Sequence, residues 1–222
     1  SKYTPLYKSY YIEGINQLYE MDCGKNSGWM YSVNGVWPDY GCSGCTLHDG
    51  DTVAVGGSKT LTQTGVLDLL RSGRYRFIDR YAPDIPDMRK VFLDSFAADA
   101  YLSSVNAVTL NGELYNVDGN SNRVAAICYG PRSVILVAGV NKIVKDIDAA
   151  VTRVKRCAAP ANAARLGCDT YCAKTGACMG LRGDMASGCK TSARICCSYV
   201  VSAYQREKGR IKVILVGEEL GY

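Results

Sequence analysis

The chain has 222 residues, of which 47% are hydrophobic and 21% are charged, and its formal net charge is +5. This length suits one large domain or two small ones. Apolar runs stay well short of the roughly 20 residues that a membrane-spanning helix needs, and lysine and arginine form no extended block. The sequence therefore predicts neither a membrane span nor a nucleic-acid partner.

The composition changes near residue 50. Residues 1–52 carry three Lys or Arg against six Asp or Glu, whereas residues 53–222 carry 23 against 15. Both tryptophans and seven of the 16 tyrosines fall within the first 40 residues. The shift predicts two pieces, which are a partial β-rich segment over residues 1–51 and a second domain over residues 52–222.

The first piece is rich in turns and aromatic residues. Asn34-Gly35 separates two aromatic runs and is typical of a two-residue β-hairpin turn. About fifty residues can hardly enclose a core alone, so this small β segment is expected to pack on another part of the chain. The opening run, SKYTPLYKSYYIEG, has no apolar signal region, so either the protein stays in the cytoplasm or these residues follow a processing site.

The second piece begins with a short buried strand, TVAV, at residues 52–55. The apolar spacing that follows predicts a helix from Thr60 to about Leu70. A further helix is expected over about residues 86–98. The side chains expected to face inward from that helix are Met88, Val91, Phe92 and Phe96.

Strands and helices alternate through the remainder of the chain. An Asn-Gly pair at residues 111–112 predicts a hairpin, and a short helix follows near residue 120. A buried strand is predicted for RSVILVAGV. A long amphipathic helix is predicted to start at KDIDAAV and to be kinked or broken by Pro160. ARICCSYVVSAY and RIKVILVGEEL supply the last strands. This alternation predicts an α/β fold with a largely parallel sheet flanked by helices.

The turn VAVGGSKT is the first candidate ligand site. A strand that ends in glycines and leads into a helix exposes backbone N–H groups, and the helix dipole adds partial positive charge there. An anion could therefore bind, although a tight turn with ordinary helix capping explains the same residues. The candidate ligand-binding residues are Gly56, Gly57, Ser58, Lys59 and Thr60.

The turn NGELYNVDGNSNR is the second candidate. Carboxylates, amides and an arginine crowd the space between a hairpin and a helix, where they could orient a carbonyl or carboxylate substrate. Asx-turns and a helix N-cap explain much of this composition without any function. The candidates are Asn116, Asp118, Asn120, Asn122 and Arg123 for ligand binding and Glu113 for catalysis.

The third candidate follows the strand RSVILVAGV. Asn141 and Lys142 come directly after its end, which is where ligands bind in open α/β sheets. Several lysines and arginines follow them, so an anionic ligand would fit. For the residues of the next helix, a solvated basic face is an equally good interpretation.

The chain contains 11 cysteines, and six of them fall within thirty residues. Their presence in an α/β-like chain favours reduced thiols or a metal site, and hence a cytoplasmic location. Zinc or an iron–sulfur cluster could bind there, with ordinary thiols and disulfides as the alternatives. Cys196 and Cys197, as neighbours on a strand, would point to opposite faces, so only one could serve the site. The candidate ligands are Cys172, Cys178, Cys189 and Cys196.

The runs TVAVGGSKTLTQTGVLDLLRSGRYRFIDRYAP and ADAYLSSVNAVTLNGELYNVDGNSNRVAAICYGPRSVILVAGVNK, with the ending RIKVILVGEELGY, resemble the lactate-utilisation (LUD) domain family. The resemblance covers roughly residues 52–222. It implies a fold similar to ribose-phosphate isomerase and CoA-transferases. It also implies a part in bacterial oxidation of lactate to pyruvate alongside iron–sulfur subunits.

The cysteine pattern of shorter family members adds to this resemblance. Those members carry a C…TG.C run followed by a C-x6-C pair, which maps here onto Cys172, Cys178, Cys189 and Cys196. The gap from Cys178 to Cys189 is longer in this chain than in the family pattern.

Residues 1–52 resemble part of a different family, a transcobalamin C-terminal-like domain of unknown function that occurs in exported surface proteins of Gram-positive bacteria. The resemblance ends at DGDTV, where that of the LUD family begins. The chain is therefore expected to be a fusion, with TVAV in the sheet of the second domain and residues 48–51 as a junction loop.

Together these observations predict a LUD-type protein that binds a small anion between three polar strand ends of one sheet. It would act in lactate or organic-acid oxidation with iron–sulfur partner subunits. Two alternatives stay open at this point. One is a non-catalytic, metal-bearing accessory protein, and the other is a surface binding module defined by the N-terminal segment.

Overall fold

The computed structural model describes residues 47–222, together with the backbone of four short strands that precede them. Strand β1 (Lys2–Thr4) pairs antiparallel with β2 (Ser9–Tyr11). Strand β3 (Gly14–Ile15) pairs antiparallel with β4 (Leu18–Tyr19). The hairpin predicted at Asn34-Gly35 lies outside the described residues.

The second piece contains nine further strands and seven α-helices within residues 47–222. The strands are β5 (Thr52–Val55), β6 (Arg76–Ile78), β7 (Ala100–Ser103), β8 (Ala107–Thr109), β9 (Leu114–Asp118), β10 (Ser133–Gly139), β11 (Ile143–Val144), β12 (Ser198–Ser202) and β13 (Ile211–Val216). The helices are α1 (Lys59–Gln63), α2 (Val66–Arg71), α3 (Met88–Asp94), α4 (Asn122–Tyr129), α5 (Ile147–Arg153), α6 (Ala159–Arg165) and α7 (Tyr171–Thr175).

The main sheet has five strands in the order β13-β10-β7-β5-β6, and every pair in it is parallel. The predicted α/β fold with a parallel sheet is thus confirmed. The TVAV run forms β5, between β7 and β6, as expected for a true sheet strand. Strand β6 was not predicted, because three residues that begin with an arginine show no apolar periodicity.

A second sheet has the order β11-β8-β9-β12. Strands β8 and β9 form the hairpin predicted at Asn111-Gly112, and Gly112 has a φ of +91°, which glycine adopts without steric cost. Strand β12 pairs antiparallel with β9. The polar end of β9 therefore belongs to a different sheet from the ends of β5 and β10.

The hydrophobic core lies on both faces of the parallel sheet. Val53 and Val55 pack with α1 and α2 on one face, whereas Ala54, between them in sequence, packs with α4 on the other. This follows from the two-residue period of a strand, which sends successive side chains to opposite faces. A third cluster joins α5 and α6 to the second sheet through Ala150 and Tyr115.

Two helix predictions need correction. The helix predicted from Thr60 to Leu70 is divided into α1 and α2, because Gly65 adopts a left-handed φ of +71° between them. The inward face predicted for the next helix is wrong for Met88 and Phe96, which are 38% and 36% exposed, whereas Val91 and Phe92 are half-buried. Helix α3 buries none of its residues, so its apolar spacing reflects a surface helix rather than a core helix.

The long amphipathic helix is continuous across Pro160. Helices α5 and α6 are joined by a π-helical turn, Val154–Ala158, in which the Ala159 N–H bonds to the Val154 carbonyl. Proline has no N–H to donate to the preceding turn, and the wider π turn accommodates this without a break. Within residues 47–222, each helix is too short or too polar to cross a lipid bilayer.

We expect Asp146→Ala to lower the free energy of unfolding by about 1 kcal/mol. Asp146 is the N-cap of α5, where its Oδ1 accepts a hydrogen bond from the Ala149 N–H at 2.9 Å. Asp148→Ala, an exposed carboxylate in the first turn of the same helix, is the matched control and should cost less. Urea denaturation measures both, and equal losses would contradict the capping role.

Candidate functional site

A cleft of about 400 Å³ opens at the carboxyl ends of the parallel strands. The turn after β5, the end of β9 and Lys142 after β10 all line it, so the structure brings together the three predicted segments. Two of them come from the parallel sheet and one from the second sheet. The expectation that all three end one sheet is therefore wrong, and the cleft lies between the two sheets.

Most of the predicted ligand residues face this cleft, although their role in binding stays a prediction. Helix α6, the loop before β12 and Gly221-Tyr222 complete its walls. The predicted residues that line the cleft are Gly57, Ser58, Lys59, Thr60, Asp118, Asn120, Asn122, Arg123 and Lys142.

Three predicted residues support the cleft from behind. A Cβ atom on Gly56 would lie 2.5 Å from Ser103 Oγ, so the backbone passes too close to β7 for a side chain. Asn116 is fully buried, and its Nδ2 has no hydrogen-bond partner among the described residues. Asn141 accepts a hydrogen bond through Oδ1 from the Leu220 N–H at 3.2 Å, which holds the C-terminal residues in place.

Glu113, the candidate catalytic residue, lies away from the cleft. It precedes the first residue of β9, whereas the cleft is at the last residue of that strand, roughly 15 Å further along. Its carboxylate accepts a hydrogen bond from the Thr109 hydroxyl across the hairpin. This position fits a turn-stabilising residue, and the geometry gives Glu113 no access to a ligand in the cleft.

Arg123 is fully engaged within the protein. An arginine side chain has five N–H groups, and all of those on Arg123 have partners at 2.7–3.1 Å. Arg123 therefore organises the cleft wall. The sequence pattern instead predicted it to be a ligand-binding residue. Its acceptors are Asp118 Oδ1, the carbonyls of Ser104 and Val117, and the Oδ1 atoms of Asn106 and Asn116.

The same network compensates the negative charge of Asp118 with an ion pair to Arg123. Its Oδ1 lies 2.6 Å from Arg123 Nη2, and its Oδ2 accepts a hydrogen bond from the Val124 N–H at 2.9 Å in the first turn of α4. Both side chains are nearly buried, so the pair joins the end of β9 to α4. Asp118 thus adds little repulsion against an anion in the cleft.

Lys142 is a buried cation with hydroxyl partners. Its Nζ donates hydrogen bonds to Thr60 Oγ1 at 2.9 Å and to Ser104 Oγ at 2.8 Å, and only 4% of the residue is exposed. Among residues 47–222, no carboxylate lies within ion-pair distance of it. Burial, followed by the charges of Arg153 and Arg123, lowers the pKa of Lys142 to about 7.

Positive charge dominates the lining of the cleft. Among the side chains that line it, six belong to lysine or arginine and one, Asp118, carries a carboxylate. Arg80 lies beside the glycine turn, where its guanidinium stacks over the Phe92 ring at 5.0 Å and comes within 3.3 Å of where a Cβ of Gly57 would be. Such an excess of one sign concentrates ligands of the opposite sign. The six residues are Lys59, Arg80, Arg123, Lys142, Arg165 and Arg194.

A second, smaller cavity of about 30 Å³ lies on the other side of the loop before β12. Burial, and then the nearby thiols of Cys172 and Cys178, raise the pKa of Cys196 to about 12. Within the described residues, no three His, Cys, Asp or Glu side chains form a group that could hold one metal ion. The four predicted metal ligands nevertheless all line this cavity: Cys172, Cys178, Cys189 and Cys196.

Cys196 and Cys197 differ in exposure as expected, since Cys197 is exposed and lies outside this lining. They are not strand residues, however, because β12 begins at Ser198. The eight cysteines of the described region are all free thiols.

Sequence reasoning missed the residues that follow β7. Ser104 and Asn106 line the cleft, and both bond to its charged side chains. Polar residues directly after a buried strand indicate Asn141, and the run SVN at residues 104–106, directly after β7, carries the same signal. Arg80 and Arg194 could not be found in this way, because they lie in loops without regular periodicity.

Comparison with known families finds two matches. The family described as the LUD domain matches residues 44–216, and the family described as Domain of unknown function (DUF4430) matches residues 1–56. The predicted resemblance of the second piece and the apparent fusion are thus confirmed. The two matches overlap over residues 44–56, around β5.

A search of curated proteins finds no match to this chain. Among solved structures, the chain is similar to the crystal structure of eIF2B delta from Chaetomium thermophilum, with 19% identity and a TM-score of 0.31. The alignment covers 47% of this chain and 45% of that one. The chain thus spans less than half of that protein's length, and a similarity this low carries no functional argument.

Proposed function

The chain belongs to the LUD domain family, and from this premise we propose that its cleft binds a small carboxylate of the lactate and pyruvate type. The lactate-utilisation character follows from the family match over residues 44–216. The carboxylate ligand is inferred from the lining of the cleft, and in particular from Lys142.

The proposal depends on the environment of Lys142, whose ammonium group is buried without a carboxylate partner among residues 47–222. A buried ammonium without a carboxylate partner is costly, because burial removes it from water and no opposite charge compensates. Two of its three N–H donors go to the hydroxyls of Thr60 and Ser104, which leaves one for a ligand. A carboxylate in the cleft would supply both the missing charge and the missing acceptor.

Lys59 and Arg80 provide a second contact for the same ligand. Both line the cleft at the glycine turn, and neither is paired with a carboxylate within residues 47–222. The hydroxyl or oxo group of a lactate-like ligand would face amide and hydroxyl donors from Asn120, Asn122 and Ser58. The size of the cleft, about 400 Å³, also accommodates a larger organic acid.

The wider role proposed here is bacterial lactate or organic-acid oxidation with iron–sulfur partner subunits, on a fold similar to CoA-transferases. The family match supports this role. We assign no catalytic group, because the candidate Glu113 lies outside the cleft. Residues 1–51 and 52–222 are proposed as separate domains, which is supported by β5 starting at Thr52 and lying within the parallel sheet.

We expect the affinity for lactate and pyruvate to fall as pH rises from about 6 to about 8.5, because Lys142, with a pKa of about 7, then loses its charge. The stability of the unliganded protein should change in the opposite sense. Lys142 in the unfolded chain keeps its proton up to an ordinary pKa of 10.5, so between these values the unfolded state binds more protons and stability rises with pH.

Isothermal titration calorimetry across this pH range tests the proposal, and urea denaturation of the unliganded protein tests the stability trend. Lactamide is the matched control ligand, since it has the shape of lactate without the charge, and it should bind weakly at every pH. Equal binding of lactate and lactamide, or the absence of lactate and pyruvate binding at the lowest pH, would contradict the proposal.

A further inference from the structure

We propose that Cys172, Cys178, Cys189 and Cys196 bind an iron–sulfur cluster in the small cavity that they line. This site is separate from the carboxylate cleft, and the proposal does not depend on what that cleft binds.

The four thiols come from one stretch of 25 residues, 172–196, and all line one cavity of about 30 Å³. Cys172 lies on α7, Cys178 and Cys189 lie in the loop that follows, and Cys196 lies just before β12. Tyr115 of the second sheet closes the cavity together with neighbouring apolar side chains. Packing of the hydrophobic core does not by itself require four buried or half-buried free thiols around one cavity.

Two of the thiols are already oriented by hydrogen bonds. The Gly180 N–H donates to Cys178 Sγ at 3.4 Å, and Thr170 Oγ1 lies 3.4 Å from Cys172 Sγ. N–H groups directed at cysteine sulfur stabilise the thiolate form and tune the potential of a bound cluster. The Gly180 contact is therefore of the kind that stabilises a thiolate ligand.

Two cations shape the loop that carries the cysteines. The Lys155 ammonium, which is 4% exposed, donates to the Gly180 carbonyl at 2.6 Å. The Arg194 guanidinium donates to the carbonyls of Cys189 at 2.8 Å and Cys196 at 2.7 Å. The backbone around the thiols is thus held by protein groups. The positive charge next to the cavity would offset the negative charge of a cluster with four thiolates.

The arrangement of the four thiols argues against a site for a single ion. Tetrahedral zinc would require four sulfur atoms at about 2.3 Å from one point, and within the described part of the chain no three ligands form a single-ion group. In a [4Fe–4S] cluster each thiolate binds its own iron, and inorganic sulfide fills the space between the irons. The thiols can therefore stand further apart around a cavity that exceeds one water-sized sphere.

The cavity and the carboxylate cleft share a wall. Arg194 and Ile195 line both of them, so a cluster held by these cysteines would lie directly behind the proposed carboxylate site. The Arg194 backbone and guanidinium belong to the loop that separates the two sites.

Anaerobic purification of the full chain, followed by reconstitution with ferrous iron and sulfide, tests this proposal. We expect stoichiometric iron and acid-labile sulfide, visible charge-transfer absorption, and a Mössbauer spectrum of thiolate-ligated iron. This measurement uses the unmodified protein, so it does not depend on whether a variant folds. Wild-type protein without bound iron and sulfide, or with one zinc ion in their place, would overturn the proposal.

Matched variants locate the site. Cys172→Ser and Cys196→Ser should each lose most of the bound iron and sulfide, or show an altered Mössbauer spectrum where the serine oxygen replaces sulfur. Cys197→Ser and Cys128→Ser, which remove exposed thiols outside the cavity, should retain wild-type iron and sulfide. Unchanged iron, sulfide and spectra in both cavity variants would contradict the assignment.

Discussion

Replacing Lys142 by methionine is expected to weaken lactate or pyruvate binding by about tenfold to a hundredfold, which is the loss of one hydrogen bond to a charged group. Methionine has a similar length and no charge, so it fills the space of the lysine stem. The hydroxyls of Thr60 and Ser104 keep other acceptors, Leu220 O and Val105 O, when the ammonium is absent.

The same substitution should leave the folded state as stable as before or make it more stable. Lys142 has no ion-pair partner within residues 47–222, and replacing a buried charge by an apolar group of similar volume is often neutral or stabilising. This combination of weaker binding and unchanged stability separates a ligand-binding residue from one needed only for folding.

Lys145→Met is the matched control. Lys145 lies three residues further along, its side chain is 85% exposed, and its ammonium is 3.8 Å from Asp146, so its loss should change neither affinity nor stability appreciably. Calorimetric titration and thermal unfolding measure both variants. Unchanged affinity in the Lys142 variant would show that the carboxylate binds elsewhere, and unfolding of that variant would show that the ammonium is structural.

Arg123→Ala is expected to lower the free energy of unfolding by about 3–5 kcal/mol. The substitution removes the donors of five hydrogen bonds and leaves the nearly buried carboxylate of Asp118 without its cation. Arg123→Lys should recover only part of this loss, because a single ammonium cannot reach acceptors arranged around a planar guanidinium.

Arg71→Ala provides the comparison for an exposed ion pair. Arg71 contacts Asp79 at 2.8 Å, but the arginine side chain is 43% exposed, so its removal should destabilise the protein much less than Arg123→Ala does. Urea denaturation followed by circular dichroism measures all three variants. A loss below 1 kcal/mol for Arg123→Ala would contradict a central role of this network in joining β9 to α4.

The candidate cleft illustrates how far sequence patterns reach. Polar residues after buried strands indicated Gly57–Thr60, Asp118 and Lys142 correctly as neighbours. For Gly57–Thr60 and Lys142 the reason is that the carboxyl ends of parallel strands meet at one edge of a sheet, whereas Asp118 reaches the cleft from the second sheet. The same patterns could not separate Lys142 from Arg123. Whether a cation faces a ligand or is saturated by the protein depends on acceptors from other elements, such as Ser104 and Asn106.

The cysteine site shows the same limit. The spacing of the cysteines is compatible with zinc, an iron–sulfur cluster, ordinary thiols or disulfides. Residues 176–197 form a loop, so no helix or strand periodicity predicts which way their side chains point. The convergence of the four thiols follows from how Lys155 and Arg194 hold the loop carbonyls. Neither cation belongs to a recognisable metal-binding motif.

By itself, the sequence determined the parallel sheet and the Asn111-Gly112 hairpin, because these depend on local periodicity and turn chemistry. The family of the second piece and the meeting of two families near TVAV were identified by resemblance over long runs of residues. Only the tertiary structure decided that a second sheet supplies one wall of the cleft, and that Lys142 meets Thr60, a hydroxyl 82 residues away in sequence. The physical reason is that burial and hydrogen-bond partners at a site are set by long-range contacts, which no short stretch of sequence records.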